Sequence, residues 1–240
     1  CDRGCPCGQE AYRSDSSADR RTGETDRMER LVDTVIFDVG GVLAENGRHT
    51  DFLKRFPPEH AELVRSVLLG DYGADGDHPW HRLERGEITL EENRRLNREA
   101  LKAAGIELPP PPPGGAPMIE FRLNEPVVQL VHDLKAAGIR LGVLTNNVAE
   151  FRTSWRSMLP FDTLFDDVVD SHEVGMRKPN PAIYQLALDR LGADATRSAF
   201  LDDVPTNVTA AQSVGMLAVV VDEDPLPAVA TVRGWAGLER

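Results

Sequence analysis

From Asn124 to the C-terminus two kinds of apolar run take turns, and this alternation constrains the fold more than any other feature of the chain. RLGVLT (140–145), DDVVD (166–170), SAFLDD (198–203) and MLAVVVD (216–222) are short, rich in Val and Leu, and read as strands. Between and before them, PVVQLVHDLKAAG (126–138), VAEFRTSWRSML (148–159), PNPAIYQLALDRLG (179–192) and PTNVTAAQSVG (205–215) carry apolar residues at helical spacing. Three of these have Pro near the start and Gly at the end, which are helix boundary signals. A last helix follows. Upstream, DTVIFD (33–38) is a further strand, apolar enough to be buried on both faces. Strand and helix in turn imply an α/β fold, a doubly wound and mostly parallel sheet with helices on both faces. In such a sheet the ligand site lies outside the carboxyl ends of the strands.

The texture differs between 49 and 121. AELVRSVLLG (61–70) and ITLEENRRLNREALKAAG (88–105) are helical, the second with Glu early and Lys late, as the helix dipole favours. DYGADGDHPWHRL (71–83) reads as a loop facing a pocket, or as packing in which Trp80 fills a small core. PPPPPGGAP (109–117) can be neither helix nor central strand and reads as a rigid extended spacer. The expected organisation is a core domain from 28–48 and 122–240, a helical domain inserted at 49–121, and a tail at 1–27. The tail is polar, lacks apolar periodicity and reads as disordered. It has no apolar stretch of the secretory type, and Met28, just before the first strand, is a candidate start. Cys1, Cys5 and Cys7 all fall in it, and the remaining residues contain no cysteine. That usage suits the cytoplasm, and three sulfurs without a nearby His fall short of a zinc knuckle. The formal net charge of -12 disfavours nucleic-acid and membrane-surface roles. No apolar run approaches the ~20 residues that span a bilayer. A small anionic substrate remains open where the pocket itself is locally positive.

Several strands end on polar residues suited to chemistry. The first ends on Asp38, the second on Thr145, Asn146 and Asn147, and the fourth on Asp202 and Asp203. A loop carrying Lys178 opens the helix between the third strand and the fourth. Any one of these residues is ordinary as a turn or cap. A doubly wound sheet would bring the whole set to one crevice, and two adjacent acids at a buried strand end repel each other without a cation.

In these stretches the chain resembles the haloacid dehalogenase superfamily, whose four motifs match FDVGGVL, VLTNN, GMRKPNPAIY and FLDDVPTN. DSHEVGMRKPNPAIYQLALDRLGA and WHRLERGEITLEE are most similar to the N-terminal domain of soluble epoxide hydrolases and to the like domain heading one acyl-CoA dehydrogenase family. The resemblance covers about residue 31 to the C-terminus. It implies a Rossmann-like core with a small helical cap, and a Mg²⁺-dependent phosphatase acting on a small phosphorylated metabolite. It makes Asp38 the nucleophile that forms an aspartyl-phosphate. Mg²⁺ would be held by Asp38, the backbone carbonyl of Gly40 and Asp203, with Asp202 close by or acting through water. Lys178 would neutralise the phosphoryl oxygens and the nucleophile. Thr145 and the amide of Asn146 would bind the transferring group. Asn207 either orients Lys178 or caps the helix that follows.

One group is missing. The family's phosphatases place a second Asp two residues after the nucleophile, to protonate the leaving group. Here that position is Gly40, and such a group is worth about 10²–10⁴-fold. The inserted domain could lend an acid, with Glu45, His78 and His81 as candidates. Otherwise the substrate carries a leaving group that needs no proton, or the domain binds phosphate ligands with little turnover. Dehalogenation of 2-haloacids uses the same nucleophile without a metal, but that branch has an aromatic residue where Gly40 stands.

Overall fold

The computed structural model describes residues 30–45, 51–109 and 121–238. The expected tail with Cys1, Cys5 and Cys7, the candidate start Met28, and the proline-rich stretch from Pro110 onward lie outside the described residues.

Five strands form one sheet: β1 Thr34–Phe37, β2 Arg140–Thr145, β3 Asp167–Asp170, β4 Ser198–Asp202 and β5 Leu217–Val220. Their order is β3-β2-β1-β4-β5, and every adjacent pair is parallel. β1 is central and all of its residues are buried, as the TVIF composition requires of a strand covered on both faces. Phe37 pairs with Val143 on one side and Leu201 on the other, Thr145 with Asp170, and Asp202 with Val220. This common register brings the polar strand ends to one edge of the sheet.

The segment between β1 and β2 carries α1 Ala61–Leu69, α2 Pro79–Glu84 and α3 Leu90–Ala103. The rest of the chain supplies α4 Glu125–Ala136, α5 Arg152–Arg156, α6 Phe161–Leu164, α7 Ser171–Val174, α8 Pro181–Leu191, α9 Pro205–Ser213 and α10 Leu226–Trp235. Side chains that alternate along the strands divide the core in two. Val35, Phe37, Val143 and Leu201 pack against α4 and α10, while Ile36, Leu144 and Phe200 pack against α8 and α9. Phe56, Val64, Leu101 and Ile106 form a separate apolar cluster within the insertion. Its two ends are joined where they leave the core: Ala44 and Leu123 form an antiparallel bridge, the Glu45 amide donates to Arg122 O at 2.9 Å, and the Asn124 amide to Leu43 O at 2.9 Å.

Two local readings change. The helix expected over 148–159 is a 3₁₀ turn, Ala149–Phe151, followed by the short α5. Trp155 is fully buried and meets Phe161 edge-on at 5.0 Å, which turns the chain into α6 early. The loop expected over 71–83 gives way to α2 at Pro79. Its cap is His78, whose Nδ1 accepts from the Trp80 amide at 3.1 Å, a residue not among the usual N-cap types. No helix among the described residues is long and apolar enough to cross a membrane.

Candidate active site

Asp38 follows β1 directly. Its amide donates to Leu201 O at 2.9 Å, extending the β1–β4 ladder and fixing its place. The Val39 amide donates to its Oδ1 at 2.7 Å, which orients the carboxylate. The residue is 8% exposed, facing the crevice at the strand ends. Gly41, with φ at +73°, lies in the turn that follows, and a Cβ built on it would stand 2.4 Å from Asp203 Oδ2. Glycine is required here twice over, for the left-handed backbone and for the close approach of Asp203. Gly40, next to it, is half-buried and bridged to Ala44.

Lys178 approaches from the loop before α8 and is 1% exposed. Its Nζ lies 2.9 Å from Asp38 Oδ1 and 2.6 Å from Asp202 Oδ2. Asn146 fixes the loop: its Oδ1 accepts from the Lys178 amide at 2.8 Å and its Nδ2 donates to Lys178 O at 3.0 Å. Asn146 thus spends its side chain joining two motif loops. Thr145 is buried at the end of β2. Asp202 is fully buried; its Oδ1 accepts from the Val204 amide at 2.8 Å and from Asn207 Nδ2 at 3.0 Å. Asn207 therefore orients Asp202 and through it Lys178, and it does not cap α9, whose N-cap is Val204. Tyr184 Oη donates to Asn207 O at 2.9 Å and holds this residue in turn.

Carboxylate oxygens of Asp38, Asp202 and Asp203 lie within 4.8 Å of one another, with the single ammonium of Lys178 among them. Lys178 pairs with two of these carboxylates, Asp38 and Asp202, in a place largely closed to water. Burial pushes the Asp202 carboxyl up to about 6, and the charge of Asp38 adds to the effect. Burial alone would lower Lys178, but the carboxylates of Asp202 and Asp38 outweigh it and hold the lysine above its ordinary value. Opposed like charges at this spacing call for a cation. An all-oxygen donor set suits a hard one such as Mg²⁺.

A contact absent from the sequence reading joins the insertion to this site. Arg177, fully buried beside Lys178, donates from Nε to Glu84 Oε2 of α2 at 2.7 Å, with neither side chain exposed beyond 1%. It also donates to Ala74 O and, at 3.3 Å, to Tyr72 O, and its guanidinium lies 5.6 Å from the centre of the Tyr72 ring. Asn180 donates to Asp75 at 2.9 Å, and a Cβ on Gly73 would meet Thr206 at 2.9 Å. The segment 72–75 is thereby seated on the loops that carry Lys178 and Asp203. The signals were an arginine next to the lysine and a lone acid beside Leu83 in α2. Burial, with Glu84 and Asp38 nearby, keeps the Tyr72 phenol well above its ordinary value and hence protonated.

The candidate acids fare differently. His81 is buried, its Nδ1 accepts from the Gly76 amide at 3.0 Å, and burial lowers its pKa to about 4. His78 is lowered by burial too and serves as the cap of α2. Both are neutral at pH 7. Glu45 is exposed at the neck of the insertion. Trp80 lines a cavity inside the insertion.

A family model described as a haloacid dehalogenase-like hydrolase matches residues 32–215. The chain is 33% identical over 219 residues to acyl-CoA dehydrogenase family member 10 of Mus musculus, covering 87% of this chain and 19% of that protein. It is 32% identical over 198 residues to bifunctional epoxide hydrolase 2 of Mus musculus, covering 77% and 35% respectively. A sesquiterpene phosphatase of Aspergillus oryzae is 28% identical over 187 residues, covering 76% of this chain and 86% of its own. The chain thus spans about a third or less of the length of the first two relatives.

Proposed function

This chain belongs to the haloacid dehalogenase-like hydrolase family, and from that premise we infer that it is a Mg²⁺-dependent phosphomonoester hydrolase acting on a small phosphorylated metabolite. The observation that carries the reading is the buried triangle of Asp38, Lys178 and Asp202, with Asp203 beside it and oxygen atoms of all three carboxylates within 4.8 Å of one another. A hard divalent cation suits this all-oxygen set, and with Lys178 it would offset the charge of a phosphoryl group brought to Asp38. The relative named as a phosphatase, alignable over most of its own length, supports the same chemistry.

The residues divide the work. A carboxylate oxygen of Asp38 attacks phosphorus as the bond to the leaving oxygen breaks, giving an acyl phosphate that water then hydrolyses. Lys178 holds the Asp38 carboxylate in place and offsets charge on the transferring group. Thr145 and the Asn146 amide stand at the end of β2 to donate to the phosphoryl oxygens. Asn207 and the Val204 amide fix Asp202, which in turn fixes Lys178. Asp38, Asp202, Asp203 and the Gly40 carbonyl would hold Mg²⁺, which supplies Lewis-acid charge neutralisation when bound. The helical insertion acts as a cap that excludes water, seated by Arg177.

With glycine at 40 and both histidines neutral and engaged, neither Gly40 nor His78 nor His81 supplies a proton to a poor leaving group. Substrates whose leaving oxygen departs unprotonated fit best: sugar-1-phosphates, acyl phosphates or aryl phosphates. The test is release of phosphate from an aryl phosphate series, with and without Mg²⁺, by the chain and by Asp38→Asn. The expected result is metal-dependent turnover, abolished in the variant and falling steeply as the leaving-group pKa rises. Turnover that survives in Asp38→Asn would refute the nucleophile, and a flat series would refute the leaving-group argument.

A further inference from the structure

The insertion carries a second cavity of about 380 Å³, partly open to solvent where Arg94 and Arg98 are exposed, and within the range of small-molecule sites. Its wall is apolar, with Phe56, Leu68 and Trp80, and Arg55, Arg94 and Arg98 also line it. Asp38, Lys178 and Asp203 do not, so this cavity is not the catalytic crevice. The charge pattern is unusual for this chain, whose net charge is -12. Elsewhere the insertion neutralises its arginines: Arg95 lies 2.8 Å from Glu92 and 2.7 Å from Glu99, Arg85 2.5 Å from Asp75, and Arg82 3.3 Å from Glu87. Arg94 and Arg98 sit one helical turn apart on the same face of α3 and have no ion pair among the described residues. An apolar pocket with the guanidinium groups of Arg94 and Arg98 on its lining matches one chemistry, an apolar body ending in an anion.

We propose that this cavity binds an anionic amphiphile, with the tail against Phe56, Leu68 and Trp80 and a carboxylate or phosphate head on Arg94 and Arg98. The site is independent of turnover at Asp38. Occupancy places a ligand inside the insertion whose seat on the core is set by Arg177 and Glu84.

The test is a fluorescence titration of the whole chain, in EDTA and below micellar concentrations, with decanoate, decyl phosphate and decyltrimethylammonium. Either anionic probe should change the emission of Trp80 saturably, the change should vanish in Trp80→Phe, and the cationic probe should do nothing. Arg94→Glu with Arg98→Glu should weaken binding at least about tenfold, since both charge-assisted contacts to the head are lost. Circular dichroism checks that the double variant is folded, and added salt should weaken binding to the unmodified chain in the same direction. Binding should persist in Asp38→Asn and in excess inorganic phosphate. Absence of saturable binding, an equal response to the cationic probe, an unchanged affinity in the double variant, or competition by inorganic phosphate would overturn the proposal.

Discussion

Replacing Glu84 by Leu leaves the Arg177 guanidinium charged and sealed from water without its counterion. Both side chains are at most 1% exposed, so neither can be resolvated by a small rotation. Breaking a buried pair from one side costs about 3–5 kcal/mol. Arg177 keeps its bonds to Ala74 O and Tyr72 O, which satisfy hydrogen-bonding capacity but not charge, so the cost belongs near about 3 kcal/mol. For a domain of this size that corresponds to a fall in Tm of about 6–12 °C. Urea unfolding of Glu84→Leu, Arg177→Met and the double variant closes the cycle. The double variant should be more stable than the sum of the two single losses, because it buries no lone charge. A single-variant loss below about 1 kcal/mol, or strict additivity, would refute the claim that the pair is coupled and dry. The double variant should still lose activity, since the segment 72–75 no longer has its anchor.

Other outcomes follow from the same geometry. Gly40→Asp should raise kcat on alkyl phosphates by up to about 10²–10⁴-fold while changing aryl phosphates less, measured as a change in slope of the leaving-group series. Gly40 is not among the glycines with positive φ, so its backbone accepts the side chain without left-handed strain. Gly41→Ala should do harm by displacing Asp203, and the Mg²⁺ concentration that half-stabilises the fold against heat should rise about 10–100-fold. His172, with Nδ1 2.7 Å from Asp170 Oδ1, has a pKa raised above 6.5 chiefly by that hydrogen bond. Its contribution to stability is complete below about 6.5 and is lost as pH rises through the raised folded value. Urea midpoints measured from pH 6 to 9 should fall along that limb, and His172→Gln should flatten it.

The sheet was legible because its signals are local and repeat: β-branched strands, Pro-started helices and Gly ends all depend on near neighbours. The residues around Asp38 could be read for a similar reason, since parallel register carries the strand ends to one edge. What escaped was side-chain partnership across distant segments. Nothing near Glu84 in sequence says that Arg177 will face it, and Asn207 gives no local sign that it serves Asp202. α2 was missed because a histidine ring does the work usually done by a hydroxyl or carboxylate. α5 stopped short because burial of Trp155 outweighed helical spacing.

The insertion leaves and rejoins the core through one narrow neck, where Ala44 and Leu123 are bridged and the flanking amides are satisfied. Such a closed stalk makes what hangs from it exchangeable. A foreign helical lobe spliced at those two points would disturb no strand of the sheet, and with it substrate preference could be transplanted while the reacting groups stay as they are. The graft would need one matched feature: an acid positioned to greet Arg177, without which that guanidinium would be stranded in the dark.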